Sequence, residues 1–173
     1  PAIAPLWFPS YIQTYLERDV RTVSAIRDLA TFRRFLAILA SRIWQILNRT
    51  DIAAPLGVSV PTVSEWIRIL EVTSQILLVP PYFENFGKRM IKSPKLYLGD
   101  TGLACHLAGI DRLDPAADEP MRGPMVETYV ALNLAGQFAA RWPEARLHYW
   151  SVQGRHEVDL VVEVGRDCLA IEV

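Results

Sequence analysis

Apolar residues recur at three- and four-residue spacing through the first part of the chain and at every second residue near its end, a pattern that predicts helices first and strands last. Ser10 is placed to cap a helix whose inner face is Ile12, Tyr15, Leu16 and Val20. Thr31 is placed to cap a second, with Phe32, Phe35, Leu36, Leu39 and Ile43 on one stripe and Asn48 as its stop. Two short helical patterns follow, separated by Gly57. Then come a strand at Ile76–Val79 closed by Pro80-Pro81, a basic loop, a second strand at Lys95–Leu98, and a short helix over residues 103–107. Residues 125–141 read as one helix ended by Pro143. Strands are expected over residues 146–150, 157–164 and 168–173, with Gly165-Arg166-Asp167 as the turn between the last two.

Between these halves, Pro115, Pro120 and Pro124 alternate with Asp111, Asp114, Asp118 and Glu119, which marks a linker over residues 109–124. The expected organisation is therefore a helical module with a β-hairpin over residues 1–108 and an α/β module over residues 125–173, an α+β chain overall. The chain opens without a methionine and stops at Val173 inside a strand pattern, so it reads as a fragment whose second module is incomplete.

Composition narrows the chemistry. Half of the 173 residues are hydrophobic and the net charge is −1, an ordinary globular balance with no global attraction to nucleic acid or to an anionic membrane. No apolar run approaches the roughly 20 residues a bilayer span needs, and the N-terminus lacks the pattern of a secretory leader. Cys105 and Cys168 form no CxxC pair, which excludes a disulfide scaffold or a cysteine zinc site and fits a reducing, cytoplasmic setting. No glycine-rich phosphate loop is present.

The stretch from Arg49 to Leu70 carries the packing pattern of a helix-turn-helix. Ala53 is small enough to let two helices approach, Gly57 suits the turn, and Leu56, Val63, Trp66, Ile67 and Leu70 supply a shared core. Ser59 is a suitable N-cap for the second helix, with Pro61 in its first turn. Its outward residues are then Thr62, Ser64, Glu65 and Arg68, and the hairpin after it is a wing. Lys88, Arg89, Lys92 and Lys95 place four cations in eight residues, a cluster able to grip the phosphates of double-stranded DNA. A protein-protein or inter-domain winged helix accounts for the same pattern, because only Arg68 is basic on the recognition helix and Glu65 opposes phosphate.

A second constellation is acidic. Glu127 falls in the first turn of the expected helix, Asp159 near the start of one strand and Glu172 near the end of the next. A tight turn makes those strands antiparallel neighbours, so Asp159 and Glu172 come side by side at one sheet edge. A helix carboxylate, a strand aspartate and an E-x-K strand make the PD-(D/E)xK nuclease arrangement. Its oxygen ligands hold Mg²⁺, the metal activates water, and the lysine stabilises charge. Here the lysine position would follow Val173. The alternative is a pair of strand-edge acids matched to Arg155, His156 or Arg166 on an inactive nuclease-like fold. Asp100-Thr101-Gly102 resembles the aspartic-protease triplet but opens a helix, so Asp100 or Thr101 is expected as its cap. Cys105, His106, Trp44, Trp66 and Trp150 read as packing or surface residues.

The order of these pieces is familiar. It runs from residues 11–20 through the helix-turn-helix, Pro81-Tyr82-Phe83 with Lys88-Arg89, the stretch Ser93-Pro94-Lys95-Leu96-Tyr97-Leu98-Gly99-Asp100-Thr101-Gly102-Leu103, Gly123 to Glu127, Glu157-Val158-Asp159 and Ile171-Glu172-Val173. Over essentially its whole length the chain resembles the C-terminal half of prokaryotic AAA-superfamily ATPases, where an uncharacterised domain with a winged helix and a restriction-endonuclease-like end follows the P-loop domain. The resemblance implies an upstream ATPase domain as partner, ATP bound only there, and Glu17-Arg18-Asp19 near the junction. Arg18 would then contact nucleotide or an adjacent subunit, or pair with Glu17 or Asp19. A homo-oligomer is compatible with it. The resulting expectation is a DNA-engaging accessory region with an inactive nuclease-like module; a scaffolding module without DNA contact and a metal-dependent nuclease are its rivals.

Overall fold

A computed structural model describes residues 4–16, 18, 28–83, 92–110, 119–152 and 156–173. The chain is α+β, with a helical unit leading to a two-stranded hairpin and then a long helix beside a three-stranded sheet.

Helix α1 spans Ala4–Tyr11 and widens into a π turn at Ile12–Leu16. It starts before Ser10, so Ser10 lies inside it and does not cap it. Pro9, also inside, removes one ladder hydrogen bond just before the wider turn. Helix α2 spans Leu29–Ala40 and is capped by Asp28, not Thr31; Thr31 sits one turn in and donates its backbone N–H to the Asp28 carboxylate at 3.0 Å. Asn48, expected as a stop, instead caps the start of α3, Arg49–Leu56. Helix α4 spans Val60–Val72, capped by Ser59 as the sequence predicts. Gly57 joins α3 to α4 at φ +68°, a left-handed conformation that glycine adopts without penalty. Phe32, Phe35 and Trp66 pack ring against ring, and Ile52, Ala53, Val63, Ile67 and Leu70 close the core around them.

Strands β1 (Ile76–Val79) and β2 (Lys95–Leu98) pair antiparallel with Ile76 opposite Leu98 and Val79 opposite Lys95. Their side chains alternate between two cores. Ile76, Leu78, Leu96 and Leu98 face the helical core, whereas Leu77, Val79 and Tyr97 face a second one. This explains the unbroken apolar run of β1, which a strand with one wet face would not carry. Helix α5, Thr101–Leu107, follows, with Asp100 accepting from the Leu103 backbone at 2.6 Å as the expected cap.

Helix α6 runs over Glu119–Arg141, six residues longer at its start than the sequence pattern predicts, with Pro124 inside it. Beside it lie β3 (Arg146–Val152), β4 (His156–Val164) and β5 (Asp167–Ile171), in the order β3-β4-β5 and antiparallel throughout. Gly165 makes the β4–β5 turn at φ +64°. Ala131, Tyr149 and Leu160 join Val79 and Tyr97 in the second core. The exit of β1 is bonded to β3 as well: Tyr149 donates its N–H to Pro80 and its hydroxyl to Ser93, and Tyr82 donates its N–H to Tyr149. Among the described residues no helix is long and apolar enough to cross a membrane.

Candidate functional site

The most concentrated chemistry lies where the hairpin meets α6 and β4. Period-two alternation sends Leu96 and Leu98 into the helical core, so Lys95 and Tyr97 must face the other way. Both are buried, at 2% and 0% exposure. Glu127 meets them from α6 at 6% exposure. The Lys95 ammonium donates to Glu127 Oε1 at 3.1 Å and pairs with Glu157 of β4 at 2.5 Å. The Tyr97 hydroxyl donates to the same Glu127 oxygen at 2.6 Å, and the Tyr149 ring lies 5.7 Å from the ammonium.

Electrostatics follow from this packing. Burial disfavours the Lys95 ammonium, but the hydrogen bond to Glu157 and the charge of Glu127 outweigh it, so its pKa is raised and the lysine stays charged. Burial pushes the Glu127 pKa up, with the Asp159 charge adding to it, while Tyr97 and Lys95 oppose the shift. The Tyr97 phenol is pushed far up, by burial first and by the Glu127 charge second. Lys95, Tyr97 and Glu127 are buried while Glu157 keeps its outer side open to solvent; loss of one of the buried partners would leave another buried and uncompensated.

The acidic residues singled out from the sequence are only partly assembled. In β4 and β5 the last paired positions are Leu160 and Ile171; the same register carried one residue on sets Asp159 opposite Glu172 on one sheet face. Asp159 accepts the Val173 backbone N–H at 3.0 Å, and Glu172 is exposed. Glu127 is engaged with Lys95 and Tyr97. Among the described residues no group of three His, Cys, Asp or Glu side chains is arranged to hold a metal ion.

One DNA-contact expectation needs correction. Lys95 is buried in the acidic cluster and cannot reach a phosphate, because strand alternation turns it away from solvent. Lys92 is exposed, whereas Lys88 and Arg89 lie outside the described residues. On α4, Arg68 is exposed but bonded through two nitrogens to Glu65, at 2.7 and 3.0 Å, and Thr62 and Ser64 are half-buried. Glu157 and Tyr97 are the members of the cluster that sequence reasoning did not single out. Their signal was present in the alternation of Lys95-Leu96-Tyr97-Leu98 and of Glu157-Val158-Asp159.

A family of unknown function matches residues 2–114 of this chain. The chain belongs to that family, DUF8612. A second domain of unknown function, DUF4143, matches residues 122–173, which take in Glu127, Glu157 and Asp159. Uncharacterized proteins of Mycobacterium bovis and Mycobacterium tuberculosis are each 34% identical to this DUF8612 chain over 158 residues. The match covers 91% of the chain and 35% of each relative, so the chain spans about a third of the length of the curated relatives it matches. No solved structure matches it.

Proposed function

We propose that this chain is an accessory region of an AAA-type ATPase that engages duplex DNA through a winged helix, with a nuclease-like α/β module that does not cleave. The observation that carries the reading is the glycine turn between α3 and the Ser59-capped α4, followed directly by the β1–β2 hairpin. In a winged helix the second helix of such a pair enters the major groove and the hairpin flanks it. The contacts expected for it are Thr62, Ser64 and Arg68 on α4 with Lys88, Arg89 and Lys92, which come between β1 and β2 in the sequence, Lys95 being withdrawn. The nuclease-like layout rests on Glu127 of α6, Asp159 of β4 and Glu172 beyond β5; the engagement of Glu127 by Lys95 and Tyr97 favours an inactive form, in which Mg²⁺ has no role. ATP belongs to a P-loop domain elsewhere in the same protein or assembly.

Fluorescence anisotropy with a labelled duplex tests the DNA reading. Affinity should fall steeply with salt, and Lys88→Glu/Arg89→Glu/Lys92→Glu should weaken it and flatten the salt slope by about one unit per lost phosphate contact. Binding that ignores both salt and these changes refutes DNA contact. The Glu65–Arg68 pair, which neutralises the one cation of α4, favours a second reading: a scaffolding surface for a protein partner. Mg²⁺-dependent DNA cleavage lost in Asp159→Ala would instead establish an active nuclease.

A further inference from the structure

The cluster at the hairpin base already holds a cation, and that cation belongs to the chain. We propose that Lys95 is an intramolecular latch: its ammonium, seated between Glu127 and Glu157, fills the place of a divalent ion and excludes one for as long as the hairpin is docked on the α/β unit.

Three observations converge on this. The ammonium is buried and lies within ion-pair distance of carboxylates from two different elements, α6 and β4. One Glu127 oxygen already accepts from both Lys95 and Tyr97. Magnesium requires about six oxygen ligands at about 2.1 Å in near-octahedral geometry, which a carboxylate so engaged does not offer. A second, divalent cation between these carboxylates would also sit within a few ångströms of the buried ammonium, which repels it.

The latch is anchored at its base. The backbone at β2 is bonded to residues 44–47 of the helical unit: Trp44 donates to Leu96, Leu96 to Gln45, and Leu47 to Pro94. On its other side the hairpin is bonded to β3 through Tyr149, which donates to Pro80 and Ser93, so Lys95 is held from both sides where it meets Glu127 of α6 and Glu157 of β4. The ammonium's place between the two acids is therefore fixed by the packing of the hairpin on α6 and the sheet. The exclusion rests on these contacts and stands whether or not the winged helix meets DNA; only the use of a metal, once admitted, rests on the nuclease-like reading.

Manganese binding to the full chain, read by the EPR signal of free Mn²⁺, tests the latch without any DNA. The wild type and Lys95→Arg should bind no more Mn²⁺ than Glu127→Gln does. Lys95→Met should bind at least about tenfold more tightly than wild type, and Lys95→Met/Glu127→Gln should lose that gain. If Lys95→Met is unfolded, Mn²⁺ should restore its circular dichroism; failure to restore it overturns the latch. Wild-type Mn²⁺ binding that disappears in Glu127→Gln overturns it too, since metal and ammonium would then coexist. So does a folded Lys95→Met that gains no affinity. Duplex binding by the wild type is measured separately, so loss of the DNA reading is distinguishable from loss of the latch.

Discussion

Replacing Tyr97 with phenylalanine deletes one oxygen from the centre of the charged cluster and leaves the ring packing in place. The hydroxyl donates to Glu127 at 2.6 Å in a fully buried position, so its removal takes one of the two donors from a desolvated carboxylate oxygen. Hydrogen bonds to charged groups contribute about 1.5–3 kcal/mol, and urea denaturation at pH 7 should register a loss of that size. For a chain of this length, that is a fall in Tm of between about 3 and 12 °C. The pH dependence has a definite sign. Tyr97 has its folded pKa raised above the ordinary 10.0, by burial first and by Glu127 second. Above pH 10 the unfolded chain releases this proton while the folded chain retains it, so stability falls as pH rises. The wild type should lose about 0.8 kcal/mol from this group by pH 10.5, and Tyr97→Phe none. Lys95, raised above its usual 10.5, is still charged in that window and contributes to both proteins alike. The gap between wild type and variant should therefore narrow between pH 9 and pH 10.5. A loss below about 0.5 kcal/mol at pH 7, or a gap that stays constant with pH, would refute the placement of this phenol against Glu127.

Gly99→Ala should destabilise by about 1–3 kcal/mol in thermal or urea unfolding, because the new Cβ would meet the Ser74 carbonyl oxygen at 2.6 Å and that of Gln75 at 3.1 Å, both of them backbone. Gly57→Ala has open space but a φ of +68°, and should cost about 1 kcal/mol through backbone strain alone; a Gly57 variant less stable than the Gly99 variant would contradict the close approach at the end of β2. Asp100→Ala removes the side chain that accepts from Leu103 and should cost about 1 kcal/mol, while Asp100→Asn, an equally good cap, should cost less than half as much.

The sequence pattern located nearly every element because apolar spacing is a local property: β1 and β2 have the bounds it predicts, and the α3–Gly57–α4 turn lies where glycine and Ser59 put it. Misplaced boundaries came from polar residues that suit either end of a helix. Asn48 stops one pattern and begins another, and only the backbone N–H groups of Thr50 and Asp51 bonded to it reveal which. Pro124 reads as a break, yet α6 passes through it, and the Thr128 hydroxyl donates to the Pro124 carbonyl one turn on. That early start changes the meaning of Glu127. In a helix opening at residue 125 it would lie in the first turn, open to solvent and to a metal; in α6 it lies two turns inside, against the hairpin.

Lys95 was misjudged for a related reason. Grouped with Lys88, Arg89 and Lys92 along the chain it looks like one of four surface cations, but its strand position groups it with Tyr97 instead. Alternation alone could have separated Lys95 from Leu96 and Leu98. It could not have shown that the opposite face is covered, since that cover comes from α6 and β3–β4, which begin more than twenty residues later. A charged side chain's role is set by what packs over it, and here the hairpin, the long helix and the sheet each contribute one part of a single ion-pair cluster. The hairpin that a linear reading makes a wing for DNA is thereby also the element that joins the two halves of the chain.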